Sequence, residues 1–142
     1  MNDFNILLVD DEVEFLETLV KRLKKRDMNV DAVQSGEEAL KRLDHEEADV
    51  VVLDVRMPGM DGIQALREIK KLYPLTEVIM LTGHASFEVA VEGMELGAFD
   101  YLMKPINIDD LIYKVQDANK KRVIQKQKVK LMEKFGSEGQ EV

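Results

Sequence analysis

The chain has 142 residues, 20 basic against 28 acidic side chains, and neither cysteine nor tryptophan. Its length suits one domain with its own core, and the missing thiols exclude disulfide scaffolds, zinc ribbons, iron–sulfur sites and thiol nucleophiles. Residues 1–119 carry net charge −12 and residues 120–142 net +4, so the body repels phosphate backbones and direct nucleic-acid binding is not expected of it.

Five short apolar runs begin near Asn5, Asn29, Val50, Glu77 and Asp100, each followed by a helical pattern. Strand and helix alternating at this pitch indicate βαβ units and a parallel sheet. The runs Ile6–Val9, Val50–Leu53 and Val78–Leu81 are apolar without alternation, as befits strands covered on both faces. The first helix carries Val13, Leu16, Val20 and Leu23 on one face and ends in basic residues 21–26, where positive charge complements the helix dipole. Ser35-Gly36-Glu37-Glu38 reads as a capping box for the second helix, which runs through Leu40 and Leu43. Asp61-Gly62 reads as a turn with Gly62 left-handed, before a third helix through Ile63, Leu66, Ile69 and Leu72 that stops at Tyr73-Pro74. Val89, Met94 and Leu96 mark a fourth helix ended by Gly97, and Asn107 with Asp109 and Asp110 opens a fifth.

Residues 120–142 form a basic helical extension with apolar positions at Ile124, Leu131 and Phe135, and Gly136-Ser137-Glu138-Gly139 reads as disordered. No apolar run approaches the roughly 20 residues of a membrane helix, and no basic-then-apolar leader opens the chain. A cytoplasmic protein with no membrane contact is the expectation.

The chemistry gathers at the strand ends. Strand one runs into Asp10-Asp11, strand three ends in Asp54, strand four in Thr82, and strand five leads to Lys104-Pro105, while strand two ends without a charged group. Ligands of an open parallel sheet bind beyond its carboxyl edge, so order 2-1-3-4-5 makes the four equipped strands neighbours. Three converging carboxylates raise at least one pKa unless a cation joins them, and a site with few carboxylates suits Mg²⁺. A carboxylate, a lysine and a hydroxyl around one point are parts for phosphoryl transfer. Taken singly, Asp10-Asp11 also suits a helix start, Lys104 a loop and Thr82 a strand end. A magnesium-dependent phosphohydrolase is the rival, but its second acid would fall two residues after Asp54, where Arg56 stands.

The segments Val9-Asp10-Asp11-Glu12, Leu53 to Gly62, Leu81-Thr82-Gly83 and Gly97 to Pro105 resemble the receiver domain of bacterial two-component response regulators over residues 3 to about 119. The wording from Thr82 to Leu111 is most similar to receivers of the nitrogen-regulatory class. The resemblance implies a flavodoxin-like domain over residues 1–119, acting as a phosphorylation-driven switch and phosphoacceptor, not an enzyme that turns over substrate. Asp54 would accept a phosphoryl group from the phosphohistidine of a sensor kinase or phosphotransfer protein. Asp10, Asp11, Asp54 and the backbone carbonyl of Arg56 would hold Mg²⁺. Lys104 and Thr82 would bind the phosphoryl group, Thr82 and Tyr101 would form the switch, and Lys104-Pro105 would be a cis peptide. Arg56 and His84 would tune the phosphoryl lifetime. The surface of the fourth helix, fifth strand and fifth helix would meet a downstream protein or a second, phosphorylated copy, with no DNA-binding output module expected within these residues.

Overall fold

The structure, a computed structural model, describes residues 3–57, 59–83 and 87–139. Five strands, β1 (Asn5–Val9), β2 (Asn29–Val33), β3 (Val50–Asp54), β4 (Glu77–Thr82) and β5 (Asp100–Met103), alternate with α1 (Val13–Lys24), α2 (Gly36–His45), α3 (Gly62–Leu72), α4 (Phe87–Glu95) and α5 (Ile108–Gly139). The strands form one parallel sheet in the order β2-β1-β3-β4-β5. Every residue of β3 and β4 is buried, because successive side chains point to opposite faces and helices cover both.

One face packs Ile6, Leu8, Val50, Val52, Ile79 and Leu81 against α1 and α5 through Leu16, Leu19, Leu23, Leu111 and Val115. The other packs Leu7, Val9, Val51, Leu53, Val78 and Met80 against Leu43, Ala65, Leu66 and Ile69 of α2 and α3. Truncating a sealed residue such as Leu53 or Leu66 to alanine costs about 2–5 kcal/mol. The period of two carries past the apolar residues: Asp54 follows Val52 on the α1/α5 face, and Thr82 follows Met80 on the other.

Two helix starts differ from the sequence reading. Ser35 caps α2 by accepting from the Glu38 N–H, but the Glu38 carboxylate reaches back to the Gln34 N–H, not to that of Ser35. Asp61 is the N-cap of α3, with a complete capping box to Gln64, so Asp61-Gly62 is a helix start and not a turn. Gly59 and Gly97 take positive φ; Gly62 does not. Gly62 is required for closeness instead, since a Cβ there would lie 2.3 Å from the Asp54 carbonyl oxygen.

Helix α4 has the fewest buried residues of the five helices. Its one fully buried residue is Gly93, where a Cβ would meet the Met80 side chain, and Met94, expected on the inner face, is exposed while Val89 and Leu96 pack inward. Asn107 caps α5 by accepting from the Asp109 and Asp110 N–H groups.

Helix α5 crosses residue 119 without a break. At the opposite edge of the sheet from the strand-end acids, Arg122 pairs with Asp49 at 2.8 Å, both largely buried, and Asp49 also accepts from the Asn5 N–H. Lys121 lies 3.4 Å from the buried Glu77 carboxylate, which opens β4 and also faces Lys70 at 3.7 Å. The first cations of the basic extension are therefore anchors for the body. Gly136–Gly139, read as disordered from sequence, continue the helix, since propagating a docked helix adds one hydrogen bond per residue fixed.

Candidate functional site

Asp10 follows β1 and Asp54 ends β3, both almost fully buried, while the adjacent Asp11 is exposed. One carboxylate oxygen from each of the three lies within 4.8 Å of the others. Asp10 Oδ1 accepts from the Glu12 N–H at 2.9 Å. Its Oδ2 is buried without an aligned hydrogen bond, although the Lys104 ammonium lies 2.8 Å away. A buried, incompletely satisfied carboxylate oxygen among two further acids is a hard-oxygen donor set of the kind Mg²⁺ takes.

Lys104 is placed by the loop from β5 to α5. Its N–H donates to the Thr82 carbonyl at 2.8 Å, its peptide bond to Pro105 is cis, and its chain passes over the Phe15 ring, with Nζ 4.4 Å from the centroid. The ammonium stands 2.8 Å from Asp10, 3.0 Å from Glu12 and 3.9 Å from Asp54. Burial depresses it, but these carboxylates outweigh burial and hold the lysine above its usual range. At Asp54 the balance is reversed: burial, then repulsion from Asp10, push the carboxyl up to about 7 against the Lys104 charge and the Arg56 backbone N–H. The crevice disfavours a third negative charge until more positive charge arrives.

Thr82, the last residue of β4, is buried. Tyr101 in β5 is paired in register with Met80, two residues before Thr82, and is 41% exposed. The Arg56 side chain is exposed while its backbone N–H supports Asp54. His84 lies outside the described residues. The sequence reading assigned no role to Glu12 or Phe15, which flank the lysine. Glutamate at a helix N-cap, a place that favours shorter polar side chains, was the available signal for Glu12.

Fold and site together define a doubly wound α/β domain with an acid-lined crevice and a largely covered lysine at the carboxyl edge of its sheet. The sequence model of the response regulator receiver domain matches residues 6–116, and the chain belongs to that family, the receivers of two-component systems. It is 41% identical over 110 residues to the transcriptional regulatory protein ZraR of Escherichia coli K12, covering 78% of this chain and 25% of that protein. It is 36% identical over 113 residues to the DNA-binding transcriptional regulator NtrC of the same strain, covering 80% and 24%. The chain thus spans about a quarter of the length of these curated relatives. Among solved structures, a response regulator receiver domain protein from Clostridium thermocellum superposes with TM-score 0.81 at 35% identity, covering 86% of this chain and 98% of that one. NtrX from Brucella abortus, in complex with ADP, gives TM-score 0.85 at 30% identity, covering 92% and 30%. No described helix is long and apolar enough to cross a membrane.

Proposed function

We propose that this receiver is a phosphorylation switch in which Asp54 accepts a phosphoryl group from the phosphohistidine of a sensor kinase or phosphotransfer protein. The supporting observation is the convergence of Asp10, Asp11 and Asp54 within 4.8 Å, beside a lysine 3.9 Å from Asp54. Asp10, Asp11, Asp54 and the Arg56 carbonyl would hold Mg²⁺, which supplies the positive charge that lets Asp54 ionise and shields an oxygen of the incoming group. An Asp54 oxygen forms the new P–O bond as the P–N bond to the donor histidine breaks, and the imidazole leaves with the electron pair and takes a proton. Lys104 donates to a phosphoryl oxygen, and the Thr82 hydroxyl donates to another.

In this reading the chain is a phosphoacceptor, not a turnover enzyme. Arg56 and His84 set how readily water reaches the acyl phosphate. Thr82 moving toward the phosphoryl group opens space into which Tyr101 swings, and the packing of α4, β5 and α5 is biased by that local charge change. Phe87, Met94, Tyr101, Met103 and Tyr113 are exposed on these elements, an apolar surface suited to a downstream protein or a second copy. The domain extends through residue 119 and is followed by the basic extension of residues 120–142. Incubation with acetyl phosphate and Mg²⁺ tests the proposal: wild type gains one phosphoryl group by intact mass, and folded Asp54→Asn gains none. Equal labelling of the two would exclude Asp54 as the acceptor.

A further inference from the structure

Glu12 occupies the N-cap of α1 but makes no side-chain cap hydrogen bond. Its carboxylate instead reaches across to Lys104, whose ammonium donates to Glu12 Oε1 at 3.0 Å, although the two residues are 92 positions apart. The same ammonium contacts buried Asp10 at 2.8 Å and stands off Asp54 at 3.9 Å. The Phe15 ring, one turn further along α1, holds the lysine's cation from beside. Of the two carboxylates paired with Lys104, that of Asp10 is 2% exposed, whereas the Glu12 side chain is 63% exposed. Two of the three ammonium N–H groups serve these carboxylates, so closing the 3.9 Å gap to bring the third onto a phosphoryl group at Asp54 draws Lys104 off a present partner, and the exposed pair lengthens at far smaller cost because water receives the released carboxylate.

We infer that Glu12 is a positioning residue that latches Lys104 away from Asp54 in the resting receiver and sets how readily phosphorylation proceeds. This deepens the reading of Asp54 as the acceptor and rests on it. Loss of the latch leaves Lys104 shared only between Asp10 and the reacting group, so transfer is faster once the donor is bound. An ion pair exposed on one side accounts for a factor of about 2 to 5.

Charge alone would also speed an anionic donor's approach, and two variants separate the effects. Glu12→Gln removes both charge and latch. Glu12→Asp keeps the charge but is one methylene shorter, and its side chain is suited to capping α1 instead. The assay is the rate of phosphate incorporation from acetyl phosphate with excess Mg²⁺ across donor concentrations, on proteins of matched circular dichroism. Here Asp54 bonds to phosphorus as acetate leaves with the electron pair. The expected result is that both variants label about 2- to 5-fold faster than wild type at saturating donor. Acceleration in Glu12→Gln alone, or only at low donor, would assign the effect to charge at the crevice mouth and overturn the latch. Equal rates in all three would overturn it too, leaving the acceptor role intact. Absence of labelling in wild type would instead remove the acceptor reading on which the latch rests.

Discussion

The buried Asp54 carboxyl makes the metal-free receiver's stability depend on pH in a direction opposite to that of most acidic residues. Its pKa rises from the ordinary 3.8 to about 7 in the folded chain, so the folded state binds a proton that the unfolded state has released. The stability this proton confers is complete below 3.8 and is lost as pH rises through about 7. Each pH unit of that interval is worth about 1.4 kcal/mol, which sets a ceiling of about 4 kcal/mol. Water entering the open crevice lowers the realised cost to about 1–2 kcal/mol. Asp54→Asn keeps the shape and removes the charge, so in EDTA it unfolds at higher urea than wild type near pH 8, and the difference shrinks toward pH 5 and vanishes below pH 4. Excess Mg²⁺ reverses the order, because wild type gains about 2.7 kcal/mol at a hundredfold excess over Kd while the variant has lost a ligand. Urea titrations followed by circular dichroism at several pH values measure all three trends. A variant no more stable than wild type near pH 8 in EDTA, or one whose advantage is the same at every pH, would refute the electrostatic argument.

Gly62→Ala forces a Cβ to within 2.3 Å of the Asp54 carbonyl, so we expect a loss of about 1–3 kcal/mol in urea unfolding together with slower phosphorylation as the end of β3 shifts. Arg122→Gln leaves Asp49 short of its cation and costs about 1–3 kcal/mol; a double-mutant cycle with Asp49→Asn should recover part of that loss, and strict additivity would show that the pair is uncoupled. Arg56→Ala changes the decay rate of the phosphorylated protein, followed by intact mass after the donor is removed, and an unchanged half-life would deny Arg56 its tuning role.

Strands β1, β3 and β4 could be read from the sequence because a strand covered on both faces interrupts the helical period with an unbroken apolar run, whereas the half-exposed edge strands β2 and β5 were placed by the even spacing of the strand–helix units. The sheet order was legible for a chemical reason, since only β2 ends without a functional group and only an edge position leaves the other four together. The roles of Asp61 and Gly62 were not, because Asp-Gly opens a turn as readily as it caps a helix and the choice is made by how closely α3 approaches β3. Glu12 and Arg122 were hidden for a further reason. Their partners Lys104 and Asp49 are distant in the chain, and no local pattern encodes a contact that exists only after the sheet has closed.

Helix α5 has a geometric consequence. It starts at the Asn107 cap, three residues from Lys104, and is pinned by Lys121 and Arg122 at the far edge of the sheet. At 1.5 Å per residue the stretch from cap to pin is about 21 Å, and that from Arg122 to Gly139 about 25 Å. The pin separates an inner arm bedded in the core through Leu111, Val115 and Ala118 from an outer arm of similar length that exposes Ile124, Leu131 and Phe135. One unbroken helix thus carries these apolar side chains well past the far edge of the sheet, with Phe135 about 20 Å beyond the pin, so the surface the chain offers reaches further than its packed core.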